Sequence, residues 1–408
     1  MTVSDCTFTQ RDGAVCAPAG FRAAGIACGI KKSGAPDLAL IVSELSAAAG
    51  AVFTLNKAQA APVLVSKERL AASGGRARVV AINSGCANAC TGEDGLATAN
   101  AMADAAAAAA GAGRAEVLIA STGVIGVALD RNKVTSGILE AAGALEAVTG
   151  GAAAARAIMT TDPFPKAAAV TVDGPAGRFS VGGIAKGSGM IEPMMATMLA
   201  VVTTDASVAP GLLQRALTAA VDVTFNAISV DGECSTNDCV FALANGASDA
   251  MLSDGDYDLL VEALRHVCEP LALGIVRGGE GATKLVAIDV TGGRTNAEAK
   301  QAARAIANSP LVKTAVHGAD PNWGRLIAVA GRAGVEFSLE QARVVIGDTV
   351  LFERGTPFDD RAEQASRHLQ QAEISIGVDL GTGGRGAARM WTCDLSAEYV
   401  RINAEYRT

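Results

Sequence analysis

Apolar residues fall in short runs separated by glycine- and proline-bearing turns. Leu38-Ala-Leu-Ile-Val42, Ala51-Val-Phe-Thr-Leu55, Arg78-Val-Val-Ala-Ile82 and Val117-Leu-Ile-Ala120 have the length and β-branched content of strands. Gly20 to Lys31 carries shorter apolar runs punctuated by glycine, and Asn56 to Pro62 starts a helix or turn that leads into Val63-Leu-Val65. Gly95 to about Ala110 is predicted helical on its alanine and methionine content, and Asp130 to Leu145 on helical spacing of its apolar positions. Ala168–Val172 and Phe179–Val181 predict a hairpin around Asp173-Gly174, and Met198–Val202 another strand. The second half repeats the mixture. Helices are predicted over Pro210–Val223, Tyr257–Val267, Asn296–Ala307 and Arg361–Gln371. Strands are predicted over Asn226–Val230, Leu285–Val290, Val344–Ile346, Thr349–Phe352, Glu373–Val378 and Ala388–Cys393, with a polar loop over Asp231–Asp238. The order lacks the regular strand–helix alternation of a doubly wound fold, and no short period repeats. The layered reading is helices outside and two sheets inside.

Composition narrows the classes. Half of the 408 residues are apolar, enough for a large core, and the length suggests two domains or halves. A net charge of −8 argues against nucleic acid or an anionic membrane surface as partner. Nine cysteines at 6, 16, 28, 86, 90, 234, 239, 268 and 393 include no CxxC pair, and only three histidines accompany them. Buried reduced thiols in a cytosolic protein are therefore expected, rather than zinc or a disulfide scaffold. The N-terminal stretch does not read as a signal peptide, and no long apolar span suggests a membrane helix. Gly381-Thr-Gly-Gly-Arg-Gly386 matches a dinucleotide fingerprint but runs into a strand-like segment where the fingerprint should open a helix, so a hairpin turn is expected there.

The chemistry centres on Lys186-Gly-Ser-Gly-Met-Ile-Glu-Pro-Met-Met-Ala-Thr197, near the midpoint of the chain. Read blandly, this is a glycine loop before a methionine-rich core strand. Read chemically, Thr197 is a hydroxyl with no local base, since the nearest histidine in sequence is His266. Cutting the Ala196–Thr197 bond would supply one, because an α-amine titrates near ~7.7–8.0. The glycines would let the chain bend so that the hydroxyl attacks its own preceding carbonyl.

These residues are similar to the processing site of the ornithine acetyltransferase family of arginine biosynthesis. The resemblance continues through Asn83–Gly92, Ser121-Thr-Gly-Val-Ile-Gly126, Met159-Thr-Thr-Asp162, Ser229-Val-Asp-Gly232, Ser235-Thr-Asn-Asp238, Gly279-Glu-Gly-Ala-Thr-Lys284, Ala319-Asp-Pro-Asn-Trp-Gly-Arg325 and Tyr399–Thr408. It departs at Met194, where the family commonly carries Asn, which bears on the rate of cleavage and not its position. The resemblance implies a four-layer αββα sandwich like that of N-terminal-nucleophile hydrolases. It also implies self-cleavage into an α chain, 1–196, and a β chain, 197–408, with Thr197 as nucleophile. Thr122 and Gly123 would form an oxyanion hole. Thr160, Lys186, Thr197, Glu280, Asn403 and Thr408 would bind substrate, with Lys186 meeting a carboxylate and Glu280 an ammonium on charge matching.

The activity so implied is transfer of acetyl from N-acetylornithine to glutamate through an acetyl-threonine, without metal or organic cofactor. The residues leave open whether acetyl-CoA is a second donor. A heterotetramer of two α and two β chains in the cytoplasm is the family expectation. The competing reading is an amidohydrolase or aminopeptidase of the same architecture, with water as acceptor. A third is a binding protein that never cuts itself.

Overall fold

The computed structural model describes residues 6–192 and 198–405. The chain forms two compact units, one of residues up to Asn226 with Glu233–Ile275, the other of Ala227–Gly232 with Val276–Arg407. The predicted mixed α/β class is observed, with a large sheet in each unit.

The first unit is built on a nine-stranded mixed sheet. Its path runs through Thr7–Gln10, Lys166–Gly174, Gly177–Lys186, Leu199–Thr204, Cys239–Ala244, Leu38–Phe53, Arg76–Cys86 and Val117–Val124, with Phe21–Ile26 also paired to Leu38–Phe53. Leu199–Thr204 with Cys239–Ala244, and Arg76–Cys86 with Val117–Val124, are parallel; the other neighbours are antiparallel. The central strands read as unbroken apolar runs because both faces are buried. Leu38, Leu40, Val79, Ala81, Val117 and Ile119 pack on one face with the helices Ala61–Ala72, Gly92–Ala110 and Arg131–Gly143. Ala39, Ile41, Val80, Ile82, Leu118 and Ala120 point the other way, against the helix Gly150–Ala157. The alternation is the period of a pleated strand expressed twice.

The second unit has a six-stranded sheet ordered Thr356–Pro357, Thr349–Glu353, Arg343–Ile346, Glu373–Asp379, Leu285–Gly293, Gly386–Cys393. Val286, Ile288, Val290, Ile374, Ile376 and Val378 pack with the helices Asn296–Ala307, Pro310–His317, Trp323–Gly331 and Ala362–Leu369.

Four expectations change. The two strands predicted over 38–55 are one strand, Leu38–Phe53, because a bulge between Val42 and Ala47 passes the polar Ser43–Ser46 stretch without ending the pairing. The strand expected at Asn226–Val230 is a 3-10 turn, Phe225–Ala227, followed by a single bridge from Ile228 to Trp391. Its apolar side chains are buried, which is what the pattern reported, but no ladder continues beside it. The glycine run at 381–386 is not a hairpin turn. Glu373–Asp379 and Gly386–Cys393 lie on opposite sides of Leu285–Gly293, so the loop crosses from one edge of that strand to the other. A Cβ on Gly384 would stand 2.1 Å from the Gly293 carbonyl oxygen, so backbone proximity is what the glycine serves. Finally, only Cys86, Cys239, Cys268 and Cys393 of the nine unbridged cysteines are buried. No helix among the described residues is long and apolar enough to cross a membrane.

Candidate active site

Val117–Val124 carries the expected oxyanion pair at its C-terminal end. Thr122 is opposite Ser84 and Gly123 opposite Gly85, and the register then slips, with Cys86 facing both Thr122 and Val124. Gly123 has φ +125°, and a Cβ there would come within 2.4 Å of the Gly85 carbonyl carbon. Only glycine fits that slip. A polar network pins the same strand end. Asn237 Nδ2 donates to the carbonyls of Ser121 and Ala87 at 2.9 and 2.6 Å, and Ser121 Oγ donates to Asn83 Oδ1 at 2.6 Å.

Lys186 ends the strand Gly177–Lys186 and is buried. Its ammonium donates to Thr122 Oγ1 at 3.2 Å. The Thr122 oxygen is then an acceptor toward Lys186, and its own proton remains available to donate elsewhere. Two predicted site residues from distant parts of the chain are thus joined directly.

Thr160 enters the same neighbourhood through Asp162, which the sequence reading passed over. The buried Asp162 carboxylate accepts the Thr160 N–H at 2.9 Å, the Gly187 N–H at 2.7 Å and the Lys166 ammonium at 2.6 Å. Burial alone would raise this carboxyl, but the charges of Lys186 and Lys166, with these hydrogen bonds, hold it down at about 2. Lys166 is itself buried, and burial lowers its pKa against the pull of Asp162. Thr161 and Ser188 hydroxyls lie 2.6 Å apart and close the turn.

Asp238 is the second group the sequence reading missed. It is fully buried, and neither carboxylate oxygen makes a well-formed hydrogen bond among the described residues. Burial pushes it well above the usual carboxylate range, further than the Ser235 hydroxyl, the Met198 amide and the Lys186 charge pull it back. A carboxyl whose pKa is raised in the fold holds its proton more tightly than the unfolded chain does, so it costs stability as pH rises above its unfolded value of about 3.9. Asp238→Asn is therefore expected to raise the melting temperature relative to the parent by a margin that grows as pH rises from about 4. Thermal melts across that range check it; a margin constant with pH overturns it.

In the second unit two of the expected binding residues meet, Asn403 Nδ2 donating to Glu280 Oε2 at 2.9 Å. Glu280 is buried in the loop before Leu285–Gly293. Gly281 follows at φ +68°, where a Cβ would stand 2.5 Å from the Tyr399 nitrogen, so glycine lets the C-terminal helix Ala397–Glu405 close on this loop. Asp394 fastens the far end by accepting from the Thr283 and Lys284 amides at 2.7 and 3.0 Å. Ala196, Thr197 and Thr408 lie outside the described residues.

Both missed groups sit in quoted motifs, Met159-Thr-Thr-Asp162 and Ser235-Thr-Asn-Asp238. For Asp162 the available signal was a lysine four residues later, Lys166, which reads equally well as a surface pair; Asp238 offers no such signal.

A family model described as the ArgJ family matches residues 22–408. The arginine biosynthesis bifunctional protein ArgJ of Synechococcus sp. is 49% identical over 97% of this chain and 98% of its own. That of Chlorobaculum tepidum is 48% identical over 96% of each. The solved ornithine acetyltransferase of Mycobacterium tuberculosis, complexed with ornithine, is 44% identical over 47% of this chain and 100% of the solved one, at a TM-score of 0.42. The family expected from the motifs is the family found: the chain belongs to the ArgJ family, a family of acyltransferases of arginine biosynthesis.

Proposed function

We propose that this acyltransferase moves acetyl from N-acetylornithine to glutamate through an acetyl ester on Thr197, after cutting itself between Ala196 and Thr197. The observation that carries the reading is the buried hydrogen bond from Lys186 to Thr122 Oγ1, beside a glycine whose positive φ accompanies the register slip near the strand's end. It supports a donor poised for developing negative charge, next to a cation that strengthens it. In the first step the Thr197 α-amine takes the proton of its own hydroxyl, and the oxygen bonds to the acetyl carbon. The amide C–N bond breaks, and ornithine leaves with that proton. In the second step the glutamate amine bonds to the same carbon, the ester C–O bond breaks, and Thr197 recovers its hydroxyl. Thr122 and Gly123 serve the oxyanion of both steps. Lys186 takes a carboxylate, Glu280 with Asn403 the side-chain ammonium of ornithine, and Thr160 and Thr408 complete the binding set. No metal or organic cofactor enters this chemistry, and acetyl-CoA is the alternative donor for the first step. A tetramer of two α and two β chains, acting in the cytoplasm, is part of the same proposal.

The test is the consumption of N-acetylornithine with and without glutamate. Dependence on glutamate, with parallel lines in double-reciprocal plots, is expected. Equal consumption without glutamate would favour the amidohydrolase. Thr122→Ala is expected to fold normally and to lose about 10²- to 10³-fold in kcat, the usual effect of removing one oxyanion donor. A melting curve and a rate measurement on that variant check it, and near-parental kcat would remove Thr122 from this role.

A further inference from the structure

Lys31 follows the strand Phe21–Ile26 and touches both segments that carry candidate site groups. A Cβ built on Gly85 would come within 2.9 Å of Lys31 Cγ, and Gly85 is the register partner of Gly123. The Lys31 ammonium donates at 2.7 Å to the carbonyl of Met159, the residue before Thr160, and at 2.7 Å to that of Pro36. An ammonium has three N–H bonds, so one remains beyond these two carbonyls. Lys31 makes no ion pair among the described residues. Asp37, whose charge attracts it, already accepts the amides of Cys28, Ile30 and Lys31. Lys166 is paired with Asp162, and Lys186 contacts a neutral hydroxyl. Lys31, Lys166 and Lys186 all act on Asp162 through their charges, and among the described residues only Lys166 of the three hydrogen-bonds a carboxylate. A half-buried cation held by neutral oxygens alone favours an anionic ligand.

We propose that Lys31 is a second anion anchor beside Lys186 and reads the second carboxylate of a dicarboxylate acceptor. The proposal rests on the transferase reading above. N-acetylornithine and glutamate share an α-carboxylate, which one lysine can hold. Glutamate alone brings a second carboxylate, where ornithine has an ammonium. One site that serves both halves of a two-step transfer needs a cation that the donor does not use, and Lys31 supplies it. The chain then distinguishes glutamate from its neutral isostere glutamine by charge rather than by shape.

The experiment offers glutamate and glutamine together to the processed enzyme with N-acetylornithine and measures both acetylated products by mass spectrometry. In parallel, exchange of labelled ornithine into N-acetylornithine, without either acceptor, reports the first half-reaction alone. Lys31→Met keeps the methylenes over Gly85 and removes the charge. It is expected to narrow the preference for glutamate over glutamine by about 10- to 100-fold, the effect of losing one hydrogen bond to a charged group, with a much smaller loss in exchange. Lys31→Arg, which keeps the cation, should restore most of the preference. Equal losses on glutamate, glutamine and exchange would mean that Lys31 merely supports the Met159–Thr160 backbone, and the proposal fails. It fails equally if the parent shows no preference between the acceptors. Absence of exchange in the parent would instead overturn the transferase reading, and the Lys31 role with it.

Discussion

Thr197→Ala is expected to leave one uncut chain of 40.9 kDa and to lower acetyl transfer by at least ~10⁴-fold. The substitution removes the hydroxyl that both the cleavage and the transfer require, so the two losses should appear together. Thr197→Ser keeps a hydroxyl and an α-amine and should retain both, at a reduced rate. The parent should give two fragments under denaturing conditions, the second beginning Thr-Met-Leu-Ala. Those fragments should stay together in native buffer. Leu199–Thr204 follows the cut, yet it is paired antiparallel to Gly177–Lys186 of the α chain, from Val181 opposite Thr204 to Lys186 opposite Leu199. The cut therefore leaves the two pieces joined by a central ladder in one sheet whose buried faces remain covered. Intact-mass measurement with N-terminal sequencing, followed by native mass, decides the matter. An uncut parent that still transfers acetyl would overturn Thr197 as a freed nucleophile.

Asp162→Ala is expected to be the most damaging change in the described site. It removes an acceptor from Thr160 and from Gly187, and leaves Lys166 as a buried cation without its partner. Breaking one side of such a pair costs about 3–5 kcal/mol, a drop in melting temperature on the order of 10 °C. Transfer should fall by more than about 10²-fold in the fraction that remains folded, because Lys186 and Thr160 both lose their anchoring. The pH dependence separates this account from a loss of packing. The Asp162 carboxyl is held at about 2 in the fold, below the value of about 3.9 of an unfolded chain. A depressed acid contributes stability above its unfolded value and loses it as pH falls through its folded value. The stability gap between parent and variant should thus be full at pH 5 and shrink between about pH 4 and pH 2. Denaturant titrations at pH 5, 4 and 3 measure it, and a gap independent of pH would assign the loss to packing. Asp162→Ala with Lys166→Met should recover part of the stability, since an apolar pair replaces an orphaned charge, but not the transfer rate.

Much of this protein is written in local pattern. The run Val117-Leu-Ile-Ala120, the helix cap at Asp130 and the proline that opens Pro210–Val223 each act within a few residues, so the elements around them are legible from the chain alone. The helices Pro310–His317 and Trp323–Gly331 were equally legible, through the caps Ser309 and Asn322, although the sequence reading did not take them up. The strand Cys239–Ala244 was visible only as an apolar run of six buried residues, of the kind that periodicity cannot assign. The candidate residues of the site were named by motif; in the fold Lys186 meets Thr122 and Asn403 meets Glu280, contacts that the motifs did not specify.

The tertiary structure alone decided what holds those residues. Asp162 reads as an ordinary acid until the sheet buries it against Lys166 and the amides of Thr160 and Gly187, because burial sets whether a charge is screened by water or by its neighbours. Asp238 and Asp162 carry the same side chain, yet one is driven well above and the other below the usual range, since burial outweighs the Ser235, Met198 and Lys186 partners of Asp238 while two lysines and backbone amides outweigh burial at Asp162. Composition and order along the chain determined the fold class, the core strands and the family. The surroundings of Lys186 and Lys31 were set by contacts between residues 25, 64 and 128 positions apart, which no local pattern encodes.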